Sequence, residues 1–321
     1  MVTDTPGIHH VTGIVGDAQE AVDFYTGVLG LRLVTLTVNF EDILQHHLYF
    51  GDATGSPGTV FTCFPDPHGD TGRVGRPQVE TASFLVPDDA LEYWRDRLEK
   101  RERDVQSVER FDDRALRFED PVGTRLELVA GTTDELAAAG DPWTDGSVPA
   151  DAAVRGLHGV SVLSVNPYAT AGTLETLGFE YEGERDDRVR YRAPGARATV
   201  VDVLDRDAPY GREGTGTIHH VAVRVESEDD LHEWRELFDD RGYDVSRVKD
   251  RHFFHSLYVR EPGGVLFELA TETDGVATTD ENDLEPSIYL PDWFEPDRDL
   301  IESQLPELTV PLNGGPSDER R

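Results

Sequence analysis

Two histidine pairs lie far apart in the chain, each within an otherwise apolar stretch. They are His9–His10 in GIHHVTGIVGD and His219–His220 in TIHHVAVRVES. Glu268 lies in another apolar stretch, GGVLFELA, where an unpaired carboxylate would be costly to bury. Two imidazoles and one carboxylate on one face of a metal, with the other positions open, are typical of non-heme Fe(II) oxygenases. The sequence therefore predicts a metal site assembled from both ends of the chain.

The sequence pattern does not say which histidine of each pair would bind the metal. Successive side chains of a strand point to opposite faces, so His9 and His10 are expected to point in opposite directions. The same expectation applies to His219 and His220. At this stage both members of each pair remain candidates.

The elements that must position these residues recur along the chain. A short strand, an amphipathic helix and several further strands follow one another four times, which predicts an α+β fold of four β-α-β-β-β units. Glycines suited to helix C-termini follow three of the helices, at Gly30, Gly178 and Gly242. The apolar residues that recur at helical spacing in the first and last helices are Val22, Tyr25, Leu29, Leu231, Trp234, Leu237 and Phe238.

Connections rich in Pro, Gly and Asp separate the first three units, and an acidic tail follows the fourth. The amphipathic stretch IYLPDWFEPDRDLIESQL of that tail is expected to pack onto the body. The expected boundaries are 1–150 with units at 8–64 and 79–130, 151–271 with units at 156–204 and 217–271, and a tail at 272–321.

This arrangement resembles the vicinal oxygen chelate superfamily, whose paired β-α-β-β-β modules curl a sheet around a metal site. The resemblance implies two curled mixed sheets, each built from paired modules, with metal ligands on the first and last strands. Within the superfamily, the chain resembles the hydroquinone-type extradiol ring-cleaving dioxygenases. The stretches that carry this resemblance are IHHVTGIVGDAQEAVDFYTGVLGLRLV, HHLYFGDATGSPGTVFTCFP, IHHVAV and LYVREPGGVLFELAT.

The four units are not equivalent at the positions where that superfamily holds its metal. Aligned on their His-Val step, the first strands offer His10, Thr81 or Glu80, Gly159 and His220. Aligned on their glycine turns, the last strands offer Thr62, Glu127, Asp202 and Glu268. Only the first and fourth units therefore supply histidines, so the first unit is expected to reach across to the fourth. We expect Glu127 to form a salt bridge, or to mark a vestigial site, and His158 to be structural.

The resemblance implies that the second histidine of each pair binds the metal. Its ligands would then be His10, His220 and Glu268, and the metal Fe(II), with Mn(II) as the alternative. The residues to which the resemblance gives pocket or catalytic roles are His9, Thr12, His219, Tyr258 and Arg251, with His252 or His255 as alternatives to Arg251. His47 also matches the family, and its role stays open.

The implied enzyme is an extradiol-type ring-cleaving dioxygenase of aromatic compound degradation. Its partners would be O₂ and a small aromatic diol, of hydroquinone or catechol type. A glyoxalase-type metal-dependent lyase or isomerase is one alternative, but it would carry a fourth protein ligand where this chain has Thr62. A ligand-binding protein like the bleomycin-resistance proteins, which share the fold without metal, is the other alternative.

Composition excludes several classes of partner. The chain has 64 acidic and 30 basic residues, a net charge of −34, and only two lysines, Lys100 and Lys249. Such a charge repels phosphate backbones, so we expect no nucleic-acid partner. One cysteine, Cys63, and the lack of a signal peptide or long apolar run predict a cytoplasmic protein without a membrane partner. A homo-oligomer is compatible with the sequence.

The scattered acidic residues predict a halophilic protein whose stability depends on salt. Repulsion among 64 carboxylates should oppose folding at low ionic strength. The Debye length falls from ~10 Å at 0.1 M to ~3 Å at 1 M, so molar salt screens most of that repulsion. We expect the melting temperature to rise steeply from dilute buffer to molar KCl, as calorimetry can measure. A flat profile over that range would show that the acidity is incidental.

Overall fold

The computed structural model of the protein describes residues 2–278 and 287–310, with four successive strand-helix-strand segments followed by a tail. The first two segments contain β1 (Ile8–Val15), α1 (Ala18–Val22, continued by a π-helical stretch Asp23–Val28), β2 (Arg32–Asn39), β3 (Asp42–Gly51), β4 (Val60–Pro65), β5 (Gln78–Pro87), a 3₁₀ turn (Asp88–Ala90), α2 (Leu91–Glu99), β6 (Gln106–Arg110), β7 (Asp113–Glu119), β8 (Arg125–Gly131) and α3 (Thr133–Ala138). The later segments contain β9 (Gly156–Leu163), α4 (Pro167–Thr176), β10 (Glu180–Arg185), β11 (Arg188–Arg192), β12 (Val200–Leu204), β13 (Thr217–Val225), α5 (Glu228–Asp240), β14 (Asp244–Val245), β15 (Lys249–Asp250), β16 (His255–Arg260), β17 (Leu266–Thr271), a 3₁₀ turn (Glu295–Asp297) and α6 (Arg298–Gln304).

Helix α5 shows how local sequence sets these elements. Its N-cap, Ser227, accepts a hydrogen bond from the backbone N–H of Asp230, and the acidic residues of the first turn favour the positive end of the helix dipole. Trp234 and Phe238 are fully buried on the face that the sequence predicts to be apolar. The helix ends before Gly242, whose φ of +74° is in the left-handed region that favours glycine.

Strand pairing joins units that are distant in the chain. One curled sheet has the order β2-β3-β4-β1-β13-β17-β16, with β14 and β15 at its edge. The other has the order β6-β7-β8-β5-β9-β12-β11-β10. The first unit thus shares a sheet with the fourth, and the second with the third. In both sheets the central pair is antiparallel and each central strand is parallel to its other neighbour, so the predicted α+β class with curled mixed sheets is confirmed.

The central strands carry β-bulges at matching positions. In the β1–β13 pair, Ile8 lies opposite Val223 and His10 opposite Ala222, so the residue between them on β1 has no partner. Such an extra residue bends the strand and redirects its side chain. The four residues in this position are His9, Glu80, His158 and His219.

The described part of the tail packs back onto the body. Tyr289 N–H donates to the Leu36 carbonyl of β2 at 2.8 Å, and Leu290 and Ile301 are buried. The remainder of the predicted tail, 279–286 and 311–321, lies outside the described residues. In the ranges that the structure describes, no helix combines the length and apolarity needed to cross a membrane.

The second sheet contains a buried ion-pair network, and we expect the stability of the protein to depend on it. Asp202 accepts hydrogen bonds from Arg188 Nη1 at 2.9 Å and from Arg190 Nε at 2.8 Å, and all three side chains are buried. Asp202→Ala would leave two buried guanidinium groups without this counter-charge, a change that typically costs about 3–5 kcal/mol. We expect a loss of that size in the free energy of unfolding, measured by urea titration in molar KCl.

The matched control is the exposed pair Glu182–Arg192, with 2.6 Å between Oε2 and Nε. Exposed pairs contribute about 0–1 kcal/mol, so Glu182→Ala should have a small effect. Equal losses in the two variants would contradict the structural role assigned to the buried network.

Candidate metal centre and cavity

Three side chains from three central strands converge inside the first sheet. His10 on β1, His220 on β13 and Glu268 on β17 are each at least 97% buried. His220 Nε2 lies 2.8 Å from Glu268 Oε2, His10 Nε2 lies 3.3 Å from the same oxygen, and the two Nε2 atoms are 3.4 Å apart. The described residues contain no other group of three such donors this close together.

The spacing of these donors fits a metal ion. Bonds of about 2.1 Å to nitrogen and oxygen place neighbouring ligands of an octahedral ion about 3 Å apart, close to all three observed separations. Glu268 Oε2 is fully buried and makes no well-directed hydrogen bond, although it approaches both imidazoles. The three residues could therefore hold one face of a metal and leave the other face to other ligands.

The histidines of each pair do not point apart, so that prediction was wrong. His9 Nδ1 lies 2.9 Å from His10 Nδ1, and His219 Nδ1 lies 2.7 Å from His220 Nδ1. The bulges at His9 and His219 redirect these side chains and bring neighbouring rings together. Each Nε2 in the centre is thus backed by a hydrogen bond at Nδ1 of the same ring, an arrangement that orients a metal-binding imidazole.

The electrostatics of the centre favour metal binding. Burial lowers the pKa of His220 to about 4, despite the opposing effect of Glu268, so this ring is neutral at pH 7 and keeps a lone pair for a metal. Burial opposes ionisation of Glu268, but His10 and His220 together hold its pKa well below the usual range. His220 and Glu268 thus have the protonation states that metal ligands need.

In the first unit, Thr62 occupies the position that corresponds to Glu268, and it forms hydrogen bonds to other side chains. Its Oγ1 lies 2.8 Å from Thr12 Oγ1 and 2.9 Å from His47 Nε2. This chain of hydrogen bonds accounts for His47, whose role the sequence left open. Thr62 is therefore not among the converging donors.

The corresponding positions of the second sheet form no metal site. Strand pairing places Thr81, rather than Glu80, in the register of His10, because β5 and β8 pair with Ser83 opposite Glu127. A side chain at Gly159 is excluded, since a Cβ there would lie 2.3 Å from the Val200 carbonyl oxygen.

Arginines neutralise the carboxylates of the second sheet. Arg117 Nη2 lies 2.8 Å from Glu127 Oε1, and Arg110 Nη2 lies 3.6 Å from the same oxygen. The expected salt bridge of Glu127 is therefore confirmed. His158, expected to be structural, is buried, and its Nε2 lies 3.8 Å from Glu135 Oε1.

A cavity of about 430 Å³ opens beside the three converging donors. Its lining combines aromatic and aliphatic side chains with polar groups. These are His10, Thr12, Ile14, Asn39, Phe40, Glu41, Gln45, His47, Tyr49, Phe64, Asp66, Glu213, His219, His220, Ser246, Lys249, Arg251, Phe254, Tyr258, Leu266 and Glu268.

Four of the five residues predicted around the metal line this cavity: Thr12, His219, Tyr258 and Arg251. The fifth, His9, lies behind His10 and contacts it without reaching the cavity wall.

Of the three candidates Arg251, His252 and His255, the structure brings only Arg251 to the cavity. His252 is exposed and contacts Tyr289 of the tail, and the Nε2 of His255 lies 3.8 Å from Glu228. Arg251 Nη2 donates to Tyr258 Oη at 3.2 Å. Burial raises the pKa of Tyr258 well above its usual range, so this phenol keeps its proton at neutral pH.

The residues of the wall that sequence reasoning missed include two aromatic and two charged residues. Tyr49 lies opposite Thr62 in the first unit, as Tyr258 lies opposite Glu268 in the fourth. The matching steps LYF and LYV in the repeats could have identified this tyrosine. Phe254 packs on the rings of His9 and His10, and it carries no such sequence signal. The charged residues are Glu41 and Lys249.

The sequence is similar to a protein family and to several named proteins. Residues 7–128 and 174–269 match the Glyoxalase/Bleomycin resistance protein/Dioxygenase superfamily. A Bacillus subtilis (strain 168) protein named "Putative ring-cleaving dioxygenase MhqO" is 41% identical over 95% of this chain and 97% of its own. A Sphingobium indicum protein named chlorohydroquinone/hydroquinone 1,2-dioxygenase is 36% identical over 82% of this chain and 84% of its own.

Solved structures are similar as well. A dioxygenase structure from Bacillus subtilis, described as putative, superimposes with a TM-score of 0.90 at 41% identity, over 96% of this chain and 99% of that one. Maize glyoxalase I superimposes with a TM-score of 0.61 at 14% identity, over 83% and 92%, which shows the fold alone.

Loss of any one of the three converging donors should remove the metal. We expect His10→Ala, His220→Ala and Glu268→Ala to retain less than about a tenth of the wild-type metal content, because two ligands hold a divalent ion poorly. Metal analysis after anaerobic purification measures this, with circular dichroism to check folding.

Glu127→Gln, at the corresponding position of the second sheet, is the matched control and should keep its metal. A His10→Ala protein with full metal content and normal turnover would rule out this centre.

Proposed function

The chain belongs to the glyoxalase/bleomycin resistance protein/dioxygenase superfamily, and we propose that it is an Fe(II)-dependent dioxygenase that opens the ring of an aromatic diol. The observation that carries this proposal is a buried triad of two imidazoles and one carboxylate beside a cavity of about 430 Å³. We further propose an extradiol-type cleavage, next to a hydroxylated ring carbon. The related chlorohydroquinone/hydroquinone 1,2-dioxygenase supports a hydroquinone as the diol.

The residues proposed to hold the metal are His10, His220 and Glu268. Held by these residues, a ferrous ion would supply the redox chemistry that couples a bound diol to O₂; Mn(II) is the alternative metal. Phe64 and Phe254 on the cavity wall supply flat apolar surface for an aromatic ring.

Proton transfer is assigned to side chains on the same wall. Tyr258 holds a proton at Oη, and because Arg251 donates to that oxygen, the phenol's own proton is free to point to a substrate oxygen. His47 and His219 are the imidazoles of the wall outside the triad. Burial lowers the pKa of both, so both rings are neutral. His47 is assigned to accept a proton from a substrate hydroxyl, whereas His219 accepts at Nδ1 from His220 and orients that ligand. His9 and Thr12 act as positioning residues, through His10 and Thr62.

The contacts of Thr62 favour a dioxygenase over a glyoxalase-type lyase. A lyase of this fold would place a fourth protein ligand there, whereas Thr62 is bonded to Thr12 and His47. A metal-free binding protein would have no need of a buried carboxylate facing two buried imidazoles.

We place the enzyme in the cytoplasm, without nucleic-acid or membrane partners. Support comes from the net charge of −34 and from a single, buried cysteine, Cys63.

Labelled oxygen separates the dioxygenase from the lyase. With ¹⁸O₂, Fe(II)-loaded protein and methylhydroquinone, we expect one O₂ consumed per ring opened and both labelled atoms in the product, as mass spectrometry and an oxygen electrode would show. The Glu268→Ala protein serves as the control and should consume no O₂. Product without label, together with isomerisation of a thiol adduct, would establish the lyase instead.

A further inference from the structure

Two cationic side chains line the cavity of this strongly acidic protein. Lys249 and Arg251 both line it, and their side chains are only 24% and 13% exposed. Lys249 is one of two lysines in a chain with a net charge of −34. A pair of partly buried cations is therefore an exception to the charge pattern of the molecule.

A single carboxylate serves both cations. Glu41 Oε1 accepts from Lys249 Nζ at 2.8 Å and from Arg251 Nη1 at 3.2 Å. The Lys249 hydrogen bond lowers the pKa of Glu41, which therefore stays ionised. The other outer carboxylates of the wall, Asp66 and Glu213, form no ion pair with either cation within the described ranges. Within the described ranges the two cations therefore share a single ion-paired carboxylate.

The position of this charge relates it to the metal centre. Lys249 Nζ and the Arg251 Cζ lie 5.3 Å and 5.5 Å from the centroid of the Tyr258 ring. That ring lies 5.3 Å from the imidazole of His220. The two cations therefore contact the same ring as a proposed metal ligand and line the same cavity, which a substituent of a diol bound at the triad would share.

We propose that the substrate is an aromatic diol that carries an acidic substituent, a carboxylate, bound by Lys249 and Arg251. This inference rests on the proposed function, because it takes the diol to be bound at the triad. An anionic group paired with ammonium and guanidinium donors forms charge-assisted hydrogen bonds, which are stronger than neutral ones. Such partly buried pairs are screened by salt less than surface pairs, so the preference persists in concentrated salt.

The test compares two diols that differ by one carboxylate: methylhydroquinone and (2,5-dihydroxyphenyl)acetate. With Fe(II)-loaded protein in 1 M KCl, we expect kcat/KM for O₂ uptake to be at least about tenfold higher for the acid, or 1.4 kcal/mol. An equal or lower value for the acid would overturn the proposal.

Two substitutions should move this ratio in opposite directions. Lys249→Met removes a cation and should lower the acid-to-neutral ratio about tenfold. Glu41→Gln removes the competing carboxylate from an exposed side chain, so it should raise the ratio severalfold. Lys100→Met makes the same charge change at the other lysine, exposed at the end of α2, and should leave the ratio unchanged. The proposal fails if Lys249→Met behaves like Lys100→Met, or if Glu41→Gln lowers the ratio.

Anaerobic binding distinguishes this failure from failure of the proposed function. Calorimetry on the Fe(II)-loaded protein should give a dissociation constant about tenfold lower for the acid. Tighter binding of the acid without O₂ uptake from either diol would sustain the preference and refute the dioxygenase. O₂ uptake from both diols with equal binding would refute the preference and sustain the dioxygenase.

Discussion

A carboxylate buried between two imidazoles is the interaction on which the first sheet of this protein depends. Glu268 is 99% buried, and an ionised carboxylate so placed needs compensating charge or well-directed donors. His10 and His220 supply the nearest polar atoms, and they come from opposite ends of the chain. The antiparallel pairing of β1 with β13 brings them together, so the same strand pairing forms the centre of the sheet and the candidate metal site.

The two sheets handle the same burial problem in different ways. In the second sheet, Asp202 and Glu127 lie opposite Arg190 and Arg117 on the neighbouring strand, and guanidinium groups supply the positive charge. In the first sheet, the residue opposite Glu268 is Tyr258, which carries no charge. A metal ion bound by Glu268 would provide the positive charge that the arginines provide in the second sheet. Arginines therefore neutralise these carboxylates of the second sheet, whereas Glu268 of the first sheet faces the candidate metal site.

The tail contributes to the cavity by bracing the loop that carries Arg251. Tyr289 Oη lies 2.5 Å from His252 Nε2, and its ring packs on Phe253, with centroids 5.5 Å apart. The backbone N–H of Arg251 donates to the Phe254 carbonyl, which closes the loop on itself. A segment remote in sequence thus limits the freedom of the arginine and phenylalanine on the cavity wall. Because the loop has no regular structure of its own, this support depends on packing.

The sequence by itself determined the α+β class and predicted a fourfold repeat of unequal units, because apolar periodicity and residue type are local properties. The His-His pairs in the first and fourth units, and Gly159 in the third, predicted a metal site shared by the first and fourth units. Only the tertiary structure decided where side chains point. The bulges at His9 and His219, the register that selects Thr81, and the choice of Arg251 over His252 all depend on pairing and packing between distant strands. A local sequence pattern does not determine such long-range partners. For the same reason, only the folded chain shows that Lys249 and Arg251 lie together beside Glu41.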